Sequence, residues 1–220
     1  KGHIVDESKF IAALELAINR AEFSAGTTTH EIICNIPLGD MKFLKNSGVI
    51  TPKNSAGSIT EKDKIASISK AKNTIVKSSD EIILHAIPNV FSLDGKPLLN
   101  PVGLQGTHLE ADVNLILSNK ETIKKLKNTL GNLGLNIKGI LYDGVSLGEQ
   151  LLSTQDKTSD QFTVIIDIGG QFTKCGIYLN QSLAKGYICP IGGNTITDDI
   201  SQCLNVPIQE AERLKIIYGD

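Results

Sequence analysis

Two glycine pairs at the ends of predicted strands constrain the fold more than any other feature of this sequence. An apolar strand over residues 162–168 runs into the pair Gly169-Gly170, two further strands follow, and the pair Gly192-Gly193 comes after the last of them. Because glycine has no Cβ, such turns let backbone N–H groups approach a phosphate chain closely. The pattern favours a nucleotide cleft, whereas one glycine pair alone indicates only a tight hairpin.

Composition excludes several classes of protein. The 220 residues are 40% hydrophobic, enough for one large domain or two small ones. A net charge of −2, 5% aromatic residues and no tryptophan argue against a nucleic-acid partner. The four cysteines form no CxxC pair, which argues against a zinc site and favours a reducing compartment. No apolar run approaches the roughly 20 residues of a membrane span, so we expect a soluble, cytoplasmic protein.

Helical spacing of apolar residues predicts two helices in the first third of the chain. The first covers residues 7–25, with Asp6 as its cap and Gly26 as its stop. Thr60 and Asp63 predict a capping box for the second. The apolar stripe of that second helix is expected to contain Ile65, Ile68, Ala71 and Ile75.

Later helices follow the same rules. Ser118 and Glu121 predict a capping box for a helix that Gly134 ends. The other helices are expected over residues 145–152, over residues 195–204, and from Pro207 to near Gly219.

Strands are expected where apolar residues alternate or cluster between turn residues. Residues 81–87 and 90–93 predict two separate strands, and the alternation over residues 109–117 predicts a half-buried one. His85 lies in an apolar strand and is expected to be a hydrogen-bonded core residue. The polar residues 153–161 predict a linker. Additional strands are predicted over residues 31–36, around residues 49–50, and over residues 137–141.

Three separated motifs occur together in an informative order. They are residues 167–170, residues 192–200, and residues 210–219. Together they resemble the actin/DnaK ATPase superfamily, and more narrowly the FtsA family of bacterial cell-division proteins. Residues 84–88 and 100–106 resemble the subdomain inserted in that family, called 1C. The resemblance covers nearly the whole chain.

The resemblance implies an α/β fold with α+β character, namely a partial actin-like ATPase fold with an inserted 1C subdomain. The implied division is residues 1–57 as the remainder of subdomain 1A, 58–147 as 1C, 148–161 as a connector, and 162–220 as the first part of the second lobe. In that family the first phosphate loop would precede Lys1. The rest of the second lobe and an amphipathic membrane-targeting helix would follow Asp220.

By the same resemblance, Gly169, Gly170 and Gln171 would surround the β- and γ-phosphates of ATP, and Thr173 would donate to a phosphate. Asp167 would be a catalytic acid that contacts the attacking water, or the water shell of Mg²⁺, which usually keeps several waters. Its alternative role is to cap the turn through backbone N–H groups.

The remaining site residues come from the second and third motifs. By resemblance, Gly192, Gly193 and Asn194 lie near the ribose and phosphates of ATP, although they also suit a loop that caps a helix. Glu212 and Lys215 would line the nucleoside side of the pocket. Standing alone, a Glu–Lys pair three residues apart is far more often a solvated ion pair.

Two residues depart from the superfamily pattern. Relatives of the DnaK type read DxGGGTxD, whereas Gln171 replaces the third glycine here and Lys174 replaces an acid. A lysine that points inward would repel a metal ion. We therefore expect little or no ATP turnover, even where nucleotide binds.

The leading functional hypothesis implied by the resemblance is an ATP-binding actin homologue that polymerises and links the FtsZ ring to the inner membrane. Its expected partners are FtsZ, later division proteins and further copies of itself through 1C. Membrane contact would come only through segments outside this sequence, at the cytoplasmic face. The alternative is a non-hydrolysing interaction module with a vestigial nucleotide site, as in related pilus-assembly proteins. A kinase or chaperone is disfavoured because 1C matches neither.

Overall fold

The computed structural model describes residues 6–36, 41–52, 58–153, 162–179 and 181–219. The elements are α1 (Glu7–Ala25), β1 (Glu31–Asn35), β2 (Lys42–Ile50), α2 (Glu61–Thr74), β3 (Glu81–Leu93), β4 (Lys96–Leu98), β5 (Leu109–Asn119), α3 (Lys120–Asn132), β6 (Asn136–Leu141), α4 (Asp143–Leu152), β7 (Phe162–Ile168), β8 (Thr173–Leu179), β9 (Ser182–Cys189), α5 (Gly193–Leu204) and α6 (Ile208–Tyr218). The predicted α/β class with α+β character is confirmed. Apart from Ser153, the predicted linker lies outside the described residues.

A four-stranded antiparallel sheet in the order β2-β5-β3-β4 forms the largest layer. Helix α2 covers one face of it, over side chains of β5 that are fully buried: Leu109, Ala111, Val113, Leu115 and Leu117. Gly48 of β2 lies under α2, where a Cβ would stand 2.0 Å from the carbonyl oxygen of Ser67 and 2.4 Å from the amide nitrogen of Ala71. Glycine at this position therefore lets the helix pack closely on the sheet.

Strand β5 is buried on both faces, so the prediction of a half-buried strand is wrong. Its second face carries Asn114, Ile116 and Ser118, which are all buried. Ile116 belongs to a second apolar cluster with Leu183 of β9. The Nδ2 group of Asn114 donates to the carbonyl oxygen of Leu183 at 2.8 Å. The strand thus joins the four-stranded sheet to the last three strands of the chain.

Strand β3 is continuous, so the prediction of two separate strands over residues 81–87 and 90–93 is wrong. Its register against β5 shifts between Ile83 and His85 and again between Pro88 and Val90. A proline has no N–H to donate to a ladder, and strands accommodate it at bulges. The second irregularity therefore keeps Pro88 within one long strand.

The first two helix starts are confirmed. The Asp6 carboxylate accepts from the amide of Lys9 at 3.0 Å, and Gly26 takes a left-handed conformation with φ 66° after α1. At α2, the Thr60 hydroxyl accepts from the Asp63 amide at 3.3 Å, and the Asp63 carboxylate accepts from the Thr60 amide at 2.9 Å. Both orphan donors of this capping box are satisfied.

The predicted capping box at α3 is wrong. Asn119 caps the helix instead, and its Oδ1 accepts from the amides of Glu121 at 2.8 Å and Thr122 at 3.3 Å. Ser118 belongs to β5, and its buried hydroxyl has no hydrogen-bond partner within the described ranges. The apolar stripe of α2 also departs from expectation, since Ile65 is 58% exposed.

A parallel pair, β1 and β6, forms a separate small sheet with α1 and α3 beside it. Its core contains Leu126 and Leu130 of α3, with Leu14 and Ile18 of α1 packed against them. Across the described residues, no helix combines the length and apolar character needed to span a bilayer.

The last part of the chain contains an antiparallel meander, β7-β8-β9, followed by α5 and α6. Helix α4 packs against β8 and β9, where the Tyr178 hydroxyl donates to the carbonyl oxygen of Gly144. Tyr142, at the start of α4, meets Phe43 of β2 edge to face, with ring centroids 5.5 Å apart. This aromatic packing holds the meander against the larger sheet.

Candidate functional site

The two glycine turns are bonded directly to each other. The Gly169 amide donates to the carbonyl oxygen of Phe172 at 2.9 Å and closes the turn between β7 and β8. The amide of Gly193 donates to the carbonyl oxygen of Gly169 at 2.9 Å, and that of Asn194 donates to the carbonyl oxygen of Gly170 at 2.7 Å. The first N–H groups of α5 are therefore held by the hairpin turn.

Gly192 permits this contact. A Cβ at this buried position would stand 2.4 Å from the carbonyl oxygen of Gly169 and 2.6 Å from that of Gly170. Real Cβ atoms do not come so close to backbone oxygens, so a larger residue would force the turns apart. Gly192 is thus required by the packing of one turn on the other.

Part of the turn stays open to a ligand. Within the described ranges, the amides of Gly170 and Gln171 make no hydrogen bond to the protein. The Thr173 hydroxyl, by contrast, donates to the carbonyl oxygen of Ile191 at 2.8 Å. Its proton therefore fastens β8 to the loop before α5, whereas the two amides are left as the candidate donors to an anion.

Glu212 and Lys215 lie at the same place. The Lys215 ammonium donates to the carbonyl oxygen of Gly193 at 3.1 Å, to Thr197 Oγ1 at 2.7 Å and to Glu212 Oε2 at 2.7 Å. Thr197 Oγ1 also donates to Glu212 Oε2 at 2.5 Å. These hydrogen bonds, first that from Lys215 and then that from Thr197, lower the pKa of Glu212. The pair fastens α6 to the start of α5 and is more than a solvated ion pair.

A cavity of about 410 Å³ lies beside this cluster. Its walls come from α5 and α6: Asn194, Thr197, Asp198, Ile208, Gln209 and Glu212. The volume falls within the range of small-molecule pockets, roughly 300–1,000 Å³. The lining combines amide and carboxylate groups with an apolar wall, which suits a nucleoside.

Asp167 contacts a lysine at the base of the hairpin. Asp167 of β7 and Lys174 of β8 are directly paired across the two strands, and the Lys174 ammonium lies 2.6 Å from Asp167 Oδ2. The same ammonium contacts the carboxylate of Asp143, the first residue of α4. Burial alone would lower the pKa of Lys174, but hydrogen bonds and charge from Asp143 and Asp167 outweigh it and raise that pKa.

This donor set does not fit Mg²⁺. Mg²⁺ requires near-octahedral oxygen ligands and usually keeps several waters, but the space between the two carboxylates is taken by the Lys174 ammonium. Within the part of the chain that the structure describes, no three His, Cys, Asp or Glu side chains are grouped to hold a metal ion. Direct coordination of Mg²⁺ by Asp167 and Asp143 therefore has no support in this geometry, and the contact of Asp167 with the water shell of a metal ion stays a prediction.

The structure brings the sequence-predicted site residues of all three motifs together. Two further residues, Asp143 and Thr197, were not predicted. Asp143 lies between the strand predicted over residues 137–141 and the helix predicted over residues 145–152, far from the glycine motifs in sequence. Thr197 carried no signal beyond its position within the second motif.

Comparison with known protein families gives two matches. The family model described as "Cell division protein FtsA" matches residues 164–220, and the one described as "SHS2 domain inserted in FTSA" matches residues 39–117. Together they cover more than half of the chain.

Individual relatives carry the same description. The chain is 30% identical over 220 residues to "Cell division protein FtsA" of Buchnera aphidicola subsp. Baizongia pistaciae (strain Bp), covering 100% of this chain and 51% of the relative. It is 28% identical over 219 residues to the protein of that name from Neisseria meningitidis serogroup B (strain ATCC BAA-335 / MC58), covering 99% and 52%. It is 27% identical over 220 residues to that of Bacillus subtilis (strain 168), covering 100% and 49%. The chain spans about half the length of these curated relatives.

Solved structures share the fold. A "PilM-PilN type IV pilus biogenesis complex" matches with a TM-score of 0.69 at 16% identity, covering 99% of this chain and 58% of that one. The ethanolamine utilization protein EutJ from Carboxydothermus hydrogenoformans matches with a TM-score of 0.52 at 12% identity, covering 99% and 48%. At these identities the likeness shows the fold alone.

Proposed function

Because this chain belongs to the FtsA family of bacterial cell-division proteins, we propose that it is the part of a division protein that holds much of an ATP-binding cleft. The observation that carries the proposal is the convergence of three motifs. Gly193 of α5 contacts both the hairpin turn, at Gly169, and the α6 ammonium, at Lys215. Hydrogen bonds thus bring residues far apart in sequence to one place.

In this proposal the phosphates of ATP lie at the hairpin turn. The amides of Gly170 and Gln171 point to them, and the side chain of Asn194, close to Gly170, contributes an amide. Gly169, Gly192 and Gly193 shape the turn, and Thr173 positions it through its hydrogen bond to Ile191. Donors fixed before the ligand arrives bind anions with little reorganisation.

The nucleoside is placed in the cavity between α5 and α6. Glu212 contributes to its wall, and Lys215 holds Glu212 in position from α6. Hydrogen bonds from a carboxylate to a ribose hydroxyl would orient the sugar, while Ile208 supplies apolar contact to the base. We propose weak turnover or none, because Lys174 occupies the place of the acid common in relatives.

We propose that the inserted subdomain is larger at its start than the sequence suggested. The boundary expected at residue 58 falls between β2 and α2, which pack on each other in one unit. Beginning the subdomain at β2 and ending it near Asn119 keeps the four-stranded sheet intact. In this proposal residues 162–219 remain the first part of the second lobe.

The cellular role is proposed from the family. The whole protein would polymerise, with contacts through the inserted subdomain, and would link FtsZ and later division proteins to the cytoplasmic face of the inner membrane. The second candidate is a non-hydrolysing interaction module, which the ion pairs of Lys174 with Asp143 and Asp167 favour. Measurable release of inorganic phosphate from ATP would exclude the second candidate.

The nucleotide proposal is tested by unfolding the chain in urea with and without ATP. A ligand at 100 times its Kd raises the free energy of unfolding by about 2.7 kcal/mol. Gly170→Val should abolish the increase, because its side chain would fill the turn beside Asn194. Gly139→Val is the matched control, since a Cβ there meets nothing within 4 Å. An equal increase in both variants would place ATP elsewhere.

A further inference from the structure

We propose that the Lys174 ammonium is the resident cation of the phosphate turn, so that the chain binds a nucleoside triphosphate without a divalent metal ion. The inference rests on the proposed nucleotide cleft and specifies its ionic requirement. Mg²⁺ is expected near Asp167, but the Asp167 carboxylate contacts the Lys174 ammonium instead.

The ammonium is held from two elements at once. Lys174 is paired in register with Asp167 on the neighbouring strand, and its Nζ lies 2.6 Å from Asp167 Oδ2. From the other side it contacts the carboxylate of Asp143 at the start of α4. The Lys174 side chain is only 14% exposed. Cross-strand pairing and burial fix the charge, in contrast to an exposed lysine that moves freely.

A divalent cation cannot share this position. The two carboxylates are the acidic groups at the base of the turn, and Lys174 already uses one oxygen of each. A metal ion bound there would stand within a few ångströms of an ammonium of the same sign, in a partly desolvated place where charge repulsion is strong. The lysine therefore excludes the metal and offsets half of the negative charge that the two carboxylates would otherwise present to a phosphate chain.

The cluster also indicates what removal of the lysine would do. Oδ1 of Asp143 is buried and has no hydrogen-bond partner among the described residues. Without Lys174, two carboxylates would face each other, and that of Asp143 already carries this unpaired acceptor. Paired carboxylates with free oxygens attract hard divalent cations. Lys174→Asn should therefore create a site for a metal ion that the unmodified chain does not bind.

The experiment measures ATP affinity by isothermal titration calorimetry in EDTA and in excess Mg²⁺. For the unmodified chain we expect affinities that agree within about threefold, and for Lys174→Asn a loss of about tenfold or more in EDTA that Mg²⁺ restores. Lys174→Arg keeps the charge and should behave like the unmodified chain. Lys124→Asn removes an exposed lysine of α3 and controls for net charge.

A second readout uses Mn²⁺ alone, followed by electron paramagnetic resonance. Lys174→Asn should bind Mn²⁺ saturably and the unmodified chain should not. Binding of ATP to the unmodified chain only when Mg²⁺ is present would overturn the inference and leave the nucleotide proposal standing. Absence of ATP binding in both conditions would overturn the nucleotide proposal, and the inference with it.

Discussion

At the scale of single residues, the candidate site depends on a few backbone atoms that a side chain would displace. The carbonyl oxygens of Gly169 and Gly170 accept from α5, and both lie where a Cβ of Gly192 would be. Lys215 and Thr197 then fasten α6 to the same point. Substitution of any of these residues should loosen the contact between the hairpin and the two helices.

Gly192→Ala should destabilise the chain. The new methyl group would overlap two backbone oxygens, and overpacking of this kind typically costs about 1–3 kcal/mol. The loss of stability is measured as the change in the free energy of unfolding from urea titration. Gly131→Ala is the control: its Cβ would meet nothing within 4 Å, and alanine in a helix is favoured by roughly 0.5–1 kcal/mol. Equal effects of the two substitutions would refute the packing role of Gly192.

Glu212 should give the stability a dependence on acid pH. Its folded pKa lies below its unfolded value of about 4.3, so its stabilising contribution is present above that pH and is lost as pH falls through the folded pKa. We expect Glu212→Gln to lose less stability than the unmodified chain between about pH 6 and about pH 3. Glu15→Gln, on the exposed face of α1, should keep the slope of the unmodified chain. Identical slopes for all three proteins would contradict the assignment.

Residue-scale features were predictable where the signal is local. The caps at Asp6 and Thr60 depend on residues three positions away, and the sequence identified them. The cap at α3 was misplaced by one residue because Ser118 is drawn into the buried end of β5 and Asn119 is left to accept from the helix. Burial of Ser118 in the folded chain therefore determines that Asn119, and not Ser118, caps α3.

At the scale of elements, the fold depends on β5 and on the link between β3 and α4. Strand β5 pairs with both β2 and β3 and is buried on both faces. His85 of β3 connects the sheet to α4, because its Nε2 accepts from the Tyr142 amide at 3.0 Å. These contacts hold the two halves of the chain together.

Leu117→Ala should be among the more destabilising substitutions. Leu117 is fully buried in β5 between the sheet and α2, and truncation of a buried leucine costs about 2–5 kcal/mol. Val76→Ala is the control, since Val76 is 93% exposed and surface changes usually stay within about 0.5 kcal/mol. The midpoint of urea unfolding measures the loss of stability in each variant. A loss at Leu117 no larger than at Val76 would contradict the central place of β5.

His85 should make the chain less stable as pH falls below neutrality. Burial lowers the pKa of His85, and the charge of Glu149 opposes this only in part. A folded pKa below the unfolded value of about 6.5 means that stability is full above that pH and is lost as pH falls towards the folded pKa. We expect the loss between about pH 7.5 and about pH 5 to shrink in His85→Gln and to persist in His30→Gln. If His85→Gln loses as much stability as the unmodified chain over this pH range, the imidazole of His85 is not the cause of the loss.

The sequence predicted most elements but not their burial or continuity. Periodicity identified α1, α2 and the final meander because these depend on neighbours in sequence. It divided β3 at Pro88, where a register shift against β5 keeps the strand whole. Periodicity predicted only one buried face for β5, because the residues that cover its other face come from β9 and α4, which are distant in sequence.

At the scale of the whole molecule, the candidate cleft is assembled from the three motifs within residues 167–219 and one residue of α4. The sequence motifs identified the parts, and the resemblance to a family predicted that they converge. The ion pair of Lys174 with Asp143 was beyond sequence reasoning, because these two residues are brought together only when α4 packs on β8. The inserted sheet and the lobe that carries the cleft are joined through β5 and β9.

The most direct test of the cleft is hydrogen–deuterium exchange of the chain with and without saturating ATP, measured in EDTA so that the metal-free site is the one observed. We expect slower exchange in residues 169–173, 192–197 and 208–215 together, and no change in the four-stranded sheet. Protection confined to other segments, or none in these three while ATP is bound, would contradict the proposed cleft.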